Sequence, residues 1–223
     1  PHETSRMDPL THALTGVALS RTGLNRWCAR GATVAVLAAM TPDIEVMTNL
    51  GGPTVYLHYH RHFTHTLVWM PVMALLPVLV VALAAGRTLN WKRAYAIALI
   101  GVASHLALDL TNTYGVRLFL PFSDRWLHWD INSLYDLWIL GALVVAAFGP
   151  LLARLVSSEI GARPGSGRGL AVCALLFVVC FDFGRYLLHQ RAITVLESRL
   201  YNGVAPIRVA AFPNYVNPLL WTG

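Results

Sequence analysis

The chain has 223 residues, of which 56% are hydrophobic and only 13% charged, and its mean hydropathy is +0.53. This composition excludes an ordinary water-soluble domain and favours an integral membrane protein. The net charge of +6 follows from basic residues between the predicted membrane segments, so it gives no support to nucleic-acid binding.

Apolar segments recur along the chain, several of them near the roughly twenty residues that a membrane-spanning helix needs. We therefore predict an all-α, polytopic membrane bundle of about six helices, the first of them short. Asp8-Pro9 is a helix-start signal, with proline at the first helical position. The predicted segments in chain order are Pro9–Ser20, Gly31–Met47, Leu67–Gly86, Ala94–Leu110, Leu134–Leu155 and Gly169–Leu188.

The two ends of the chain differ from the part between them. Residues 1–6, which precede Met7, have the character of a cloning scar or upstream read-through, and residues 7–200 form one predicted membrane domain. Residues 201–223 are expected to form an extracytoplasmic tail, which could be the start of a truncated domain.

Lys and Arg in the connections predict the orientation of the bundle. Nine basic residues lie in one set of connections and three in the other. The first set contains Arg21, Arg26, Arg30, Arg87, Lys92, Arg93, Arg154, Arg163 and Arg168; the second contains Arg61, Arg117 and Arg125. The richer set is expected in the cytoplasm, which places the N-terminus outside.

Side chains that bind metals or protons gather on the opposite, extracytoplasmic side. Four of the nine histidines lie between His58 and His65, immediately before the third predicted helix. The other members are His12, Asp43, Glu45, His105, Asp109, His128, Asp130, Asp136, Asp182, Arg185 and His189. Because only Lys and Arg were used to assign the topology, this convergence is an independent observation. It predicts a metal-binding or proton-handling site at the extracytoplasmic end of the bundle.

His105 and Asp109 are four residues apart, so their side chains share one helix face. Imidazole and carboxylate both suit zinc, although a hydrogen-bonded pair is the alternative interpretation. Asp43, which follows Pro42, is either a helix-end residue or a metal ligand. Arg61 either reaches towards lipid headgroups or points inward, where its planar fork would suit a phosphate.

Polar residues near the predicted end of the last helix have a simpler interpretation. Asp182, Arg185 and His189 are spaced i, i+3 and i+7. We interpret them as a structural ion pair within the membrane.

Four ordered motifs carry a resemblance to a known family. They are Met7–Gly16, Thr41–Glu45, His60–Thr66 and His105–Asp109. Together they resemble the bacterial LexA-regulated, membrane-bound metal-dependent hydrolases over residues 7 to about 136. That family is similar in turn to the zinc-dependent phospholipase C and nuclease group, which is helical and binds several metal ions.

The resemblance implies a membrane helical hydrolase domain in the inner membrane of a bacterium; the basic connections predict that this multi-pass protein has its site facing the periplasm. The ligands that it implies are His12, Asp43, His65, His105 and Asp109. An HxxxE motif of the soluble group is missing here, so one or two divalent ions, with Zn²⁺ expected, fit better than three. Asp136, with or without His128, is the candidate replacement.

The leading hypothesis is a hydrolase that cleaves a phosphoester in a lipid or lipid-linked substrate by metal-activated water. Its expected catalytic residues are Asp43, Arg61 and Asp136, with Glu45 a second candidate for proton acceptor, and membrane lipid is its expected partner. Two alternatives are a non-catalytic membrane protein stapled by its metal and a metal or proton transporter. A transporter would need polar residues at both sides of the membrane, whereas those of this chain gather at one.

Overall fold

The computed structural model describes residues 9–85, 89–159 and 165–223. Over these ranges the chain forms seven α-helices and two short strands, which confirms the predicted all-α bundle. The helices are α1 (Pro9–Arg21), α2 (Gly31–Met40), α3 (Pro53–Tyr59), α4 (Met70–Ala85), α5 (Trp91–Thr111), α6 (Leu137–Glu159) and α7 (Arg168–Glu197); the strands are β1 (Phe212–Pro213) and β2 (Trp221–Thr222). The predicted scar at residues 1–6 lies outside the described residues.

Two local differences separate the observed helices from the predicted segments. The segment predicted at 31–47 is α-helical only to Met40 and continues as a 3₁₀ helix, Thr41–Gly51, with Pro42 in its first turn. α3 was not predicted, since its polar and aromatic residues show no apolar run; it starts with Pro53 at a favourable position. Two shorter 3₁₀ helices lie at Leu24–Arg26 and Phe63–His65.

Three of the described helices are long and apolar enough to cross a membrane: α5, residues 137–157 of α6, and α7. A fourth span results if Pro53–His65 and Met70–Ala84, bent by 94° at the break between them, count as one. α1 and α2 are shorter than a helix that crosses a membrane should be. Their 13 and 10 residues extend over only about 20 and 15 Å, against a hydrocarbon core of about 30 Å.

Glycines set the close packing of α1, α2 and α5. A Cβ atom on Gly16 would lie 2.7 Å from the Cα of Val36, and one on Gly101 would lie 2.7 Å from the Cβ of Ala38. Small residues at such contacts let helix backbones approach closely inside a membrane. The start of α1 and the ends of α2 and α5 therefore meet at one end of the bundle, called the site end below.

α6 and α7 complete the bundle against the other face of α1, where Leu14, Leu143 and Val178 are buried together. Pro150 lacks an N–H group, so the carbonyl of Ala146 loses its helical donor. Arg21 at the end of α1 donates hydrogen bonds of 2.6 Å to the carbonyls of Ala146 and Ala147. The arginine thereby supplies the donor that Pro150 cannot supply, and it holds the end of α1 against α6.

Residues 201–223 fold back onto the site end of α6 and α7. β1 and β2 pair antiparallel, and Trp138 of α6 donates a 2.9 Å hydrogen bond to the carbonyl of Val216. The Trp221 ring lies 5.2 Å from the guanidinium carbon of Arg185. The predicted tail is thus packed against the helices; that it starts a further domain stays a prediction.

Candidate metal centre

Each of the five predicted metal ligands comes from an element that ends or begins at the site end. His12 lies in the first turn of α1, and Asp43 follows α2 in the Thr41–Gly51 segment. His65 ends the 3₁₀ helix before α4, and His105 and Asp109 lie in the last turns of α5. His65, His105 and Asp109 are at most 1% exposed, and His12 is 5% exposed. The structure therefore brings together residues that are 97 positions apart in the chain, from 12 to 109.

Four ligand atoms converge at distances that suit a bound cation. The Nε2 atoms of His65 and His105 lie 3.2 Å apart, and each is 3.3 Å from Oδ2 of Asp109. Oδ1 of Asp43 is 3.8 Å from the first nitrogen and 3.6 Å from the second. Tetrahedral zinc with bonds of 2.0–2.1 Å holds its ligand atoms about 3.3 Å apart. The distances among the atoms of His65, His105 and Asp109 fit that geometry, and the distances to Asp43 are somewhat longer.

Two carboxylate oxygens support the same interpretation. Oδ2 of Asp43 is buried without a hydrogen-bond donor among the described residues, and the buried Oδ2 of Asp109 has only the two Nε2 atoms near it, at 3.3 Å. A buried carboxylate oxygen without a donor costs free energy unless a cation neutralises it. Of the two, Oδ2 of Asp109 lies within the converging group, so it is the atom that a metal ion would satisfy directly.

His12 adds a fifth donor beside the other four. Its Nε2 atom is 3.5 Å from Oδ1 of Asp109, and its ring stacks on that of His105 with 3.8 Å between centroids. His12, Asp43 and His105 form one group of convergent donors, and His65, His105 and Asp109 form a second. Because the groups share His105, the cluster could hold a metal ion in either group. The predicted alternatives of one or two ions both remain open.

Neighbouring acceptors orient the two central imidazoles. Nδ1 of His105 is 2.7 Å from the carbonyl oxygen of Ala39, to which it donates when Nε2 faces the site. Nδ1 of His65 is 2.9 Å from the Thr64 hydroxyl and 3.4 Å from Oε2 of Glu45. Such partners fix the tautomer of a metal-binding histidine and raise its basicity. With Nδ1 as the donor in both rings, each ring would present an Nε2 lone pair to a bound metal ion.

Glu45 is more central than the sequence indicated. It is 6% exposed, and its carboxylate accepts hydrogen bonds from the Arg61 backbone N–H (2.7 Å) and the Thr64 hydroxyl (2.5 Å). Burial acts to raise the pKa of Glu45, but the nearby imidazoles of His60 and His65 and the backbone N–H of Arg61 outweigh it and hold the pKa below its ordinary value. The carboxylate is therefore a fixed negative charge. The feature of the sequence that could have indicated this role is the position of Glu45, two residues after Asp43.

Arg61 is completely buried and contacts the cluster through Asp109. Its Nη2 atom donates to Oδ1 of Asp109 at 2.9 Å, and Nη1 donates to Asn112 and to the carbonyl of Gly115. Its guanidinium carbon lies 4.8 Å above the ring of Tyr114. In this arrangement the arginine positions Asp109; the expectation that it binds a substrate phosphate stays a prediction.

Asp136 lies beside the cluster rather than in it. With His12, Arg61 and Asp109 it lines a small cavity of about 40 Å³, large enough for one or a few water molecules. Its Oδ1 atom caps α6 by accepting from the N–H groups of Trp138 and Ile139. Burial raises the pKa of Asp136, against the opposing effects of the Arg185 guanidinium and these N–H groups.

Arg185 of α7 forms its ion pair with Asp136, which precedes α6, instead of with Asp182 of its own helix. Arg185 lies 3.5 Å from Oδ2 of Asp136 and donates to the carbonyl of Ile131, while Asp182 accepts from Asn132. The helical spacing of Asp182 and Arg185 suggested a local pair, but loop residues supply nearer partners.

The remaining histidines of the site end lie outside the five-residue cluster. His60 is buried with Nδ1 at 3.0 Å from Oε1 of Glu45, whereas His62 is half-buried and His58 exposed. His128, the other candidate replacement ligand, lies 2.8 Å from Oδ1 of Asp130.

One member of the cluster is open to its surroundings. The side chain of Asp43 is 18% exposed, against 6% or less for the other four. Asp43 and Glu45 line a large cleft of about 880 Å³ between the Thr41–Gly51 segment and α4. The cluster can therefore be reached from this side.

Comparison with known proteins gives two matches. A family model described as YdjM inner membrane protein matches residues 7–192. A Bacillus subtilis (strain 168) protein described as uncharacterized protein YfhP is 28% identical over 142 residues, 58% of this chain. The aligned part of the chain spans only 42% of that relative. No solved structure matches.

Proposed function

We propose that the chain, which belongs to the YdjM inner membrane protein family, is a metal-dependent hydrolase, and the support for this is its buried histidine–aspartate cluster. The bond cleaved is a phosphoester, and the substrate is a membrane lipid or a lipid-linked molecule. The distribution of basic residues, nine in one set of connections against three in the other, supports a site facing the periplasm.

The observation that carries this proposal is a complete metal donor set with one accessible member. His65, His105 and Asp109 are buried, whereas Asp43 is 18% exposed at a cleft of about 880 Å³. A ligand set that only joins helices needs no opening. A hydrolytic centre does need one, because substrate and water have to reach the metal.

The residues that would hold the ion are Asp43, His65, His105 and Asp109, with His12 as a fifth donor. A bound divalent cation such as Zn²⁺ supplies Lewis-acid chemistry, activating water and polarising a phosphoryl oxygen. Within the chain, Arg61 holds Oδ1 of Asp109 at 2.9 Å, so the other oxygen of that carboxylate keeps its direction towards the imidazoles.

Proton transfer is proposed for carboxylates near the cluster. Asp136 lines the small cavity beside His12 and Arg61, and burial raises its pKa. A raised pKa brings a carboxylate nearer to the range in which it can take and release a proton. We therefore keep Asp136 as the candidate proton acceptor, and Glu45 in a supporting role at His65.

A metal staple without catalysis is the second candidate, and one observation favours it. The donor atoms of His65, His105 and Asp109 lie 3.2–3.3 Å from one another, and Oδ1 of Asp43 lies 3.6–3.8 Å from both imidazoles, and such short spacing is typical of a structural metal site. Such a site would bind metal tightly, and loss of the metal would unfold the site end without any substrate being cleaved.

Metal analysis combined with a substrate screen separates the two candidates. The protein purified in detergent should contain at least one divalent ion per chain and should cleave a phospholipid or lipid phosphate in a reaction stopped by chelator. His105→Ala should lose both properties, whereas His58→Ala, at an exposed histidine of the same side, should keep both. Metal without hydrolysis of any phosphoester would support the staple, and protein that folds without metal would refute both.

A further inference from the structure

An apolar cleft leads away from the exposed side of Asp43. It has a volume of about 880 Å³, in the range of sites for small ligands, and lies between the Thr41–Gly51 segment, α2 and α4. Its lining includes Ile44, Met47, Leu76 and Val80. Hydrocarbon therefore dominates its walls.

The two charged residues of the cleft lining belong to the metal cluster or support it. Asp43 and Glu45 lie next to each other in the lining, together with the ring of Tyr56. The walls beyond them are built from aliphatic side chains of α2 and α4. A molecule that matches this lining has one charged or strongly polar end and a long apolar remainder.

Several apolar residues of the cleft lining are exposed, as expected of a surface that faces lipid. Ile44, Met47 and Val80 are 50%, 59% and 57% exposed, and α4 belongs to the bent fourth candidate span. In a membrane these side chains contact lipid chains rather than water. A lipid can therefore enter sideways without leaving the bilayer.

We propose that this cleft binds one acyl chain of a phospholipid from the surrounding bilayer, with the phosphate of that lipid at the metal ion that Asp43 would help to hold. Binding of the chain needs only the cleft; cleavage of the lipid rests in addition on the proposed hydrolase function. The cluster thus receives its substrate from the membrane plane. Long-chain substrates gain affinity from the apolar walls, and water-soluble phosphoesters do not.

A second large cleft offers an internal comparison. It has a volume of about 700 Å³ and lies between α5 and α7, and its lining includes Thr15, Ser104 and Val179. None of the five candidate ligands, all within the described residues, lines it. Of these two clefts, the first is therefore the one whose lining includes a candidate ligand.

Photo-crosslinking of the full-length protein tests the occupant directly. The protein is placed in vesicles that contain phosphatidylethanolamine with a diazirine near the end of one acyl chain, and the crosslinked peptides are mapped by mass spectrometry. We expect strong labelling of residues 44–47 and 76–80. Val80→Trp, which fills the cleft from an exposed position, should reduce this labelling several-fold.

Leu83→Trp is the matched control, because Leu83 is 88% exposed on the same helix and does not line the cleft. It should leave labelling of residues 44–47 unchanged. Labelling spread evenly over the lipid-facing surface, or equal in both tryptophan variants, would overturn the proposal. Equal metal content in the two variants verifies that both remain folded at the site.

Measurements of hydrolysis distinguish an error in the proposed lipid-binding role of the cleft from an error in the proposed hydrolase function. Val80→Trp should lower cleavage of a long-chain phospholipid at least tenfold relative to a water-soluble phosphodiester. Unchanged cleavage of both would refute the cleft but leave the hydrolase intact. Loss of labelling in Val80→Trp without hydrolysis of any phosphoester by the unaltered protein would uphold the cleft and refute the hydrolase.

Discussion

Replacing Glu45 with glutamine tests the support behind the metal cluster. The carboxylate accepts hydrogen bonds from the Arg61 backbone N–H and the Thr64 hydroxyl and lies 3.4 Å from Nδ1 of His65. Glutamine has nearly the same shape, but it is neutral and replaces one acceptor oxygen with an NH₂ donor. The variant therefore changes the electrostatics at His65 while leaving the packing almost intact.

The size of the effect follows from these contacts. An NH₂ group turned towards His65 or Thr64 faces another donor, and the Nδ1–H of His65 loses the negative charge that stabilises it. The Nε2 lone pair of His65 then becomes less basic and less well oriented. Loss of such a supporting carboxylate reduces metal affinity about 10- to 100-fold, which corresponds to roughly 1.4–2.8 kcal/mol.

The assay is competition for zinc against a chromophoric chelator, with purified protein in detergent at neutral pH. Asp124→Asn, which neutralises an exposed carboxylate, is the control and should bind zinc as the unaltered protein does. Thermal unfolding in excess chelator shows whether Glu45→Gln changes folding apart from metal. Zinc affinity of Glu45→Gln within about twofold of the unaltered value, with His105→Ala unable to bind, would refute the supporting role assigned to Glu45.

Three further predictions concern the ligand, the packing and the orientation. Asp109→Asn should lower the metal content and, because it leaves a buried guanidinium without its counter-ion, cost about 3–5 kcal/mol of stability; a variant with full metal content would contradict the ligand assignment. Gly101→Val should lower the melting temperature, since overpacking costs about 1–3 kcal/mol, whereas Gly141→Val, where an added Cβ meets nothing within 4 Å, should change it little. In a cysteine-free background, a membrane-impermeant thiol reagent applied to intact spheroplasts should label Asp124→Cys and not Gly165→Cys, and the reverse pattern would invert the proposed topology.

Several features could be predicted from the sequence because they depend on local pattern. Membrane helices are recognised from their hydropathy, which is summed along one stretch of chain, and α5 to α7 were found in this way. The pairing of His105 with Asp109 follows from helix geometry alone. Basic-rich and basic-poor connections alternate along the chain, and the histidines lie in or next to the basic-poor ones. Their grouping at one end of the bundle could therefore be predicted.

Only the tertiary structure decided how these residues meet. The Ala39 carbonyl at His105, the Glu45 carboxylate at His65 and the guanidinium behind Asp109 join separate elements through space, and no periodicity within one element encodes such contacts. The end of α2 at Met40 and the closeness of α1, α2 and α5 depend on Pro42 and on backbone contacts at two glycines. Hydropathy thus determined the class of protein, and the basic connections predict the side of the site, whereas long-range packing determined which donors converge and which face of the cluster stays open.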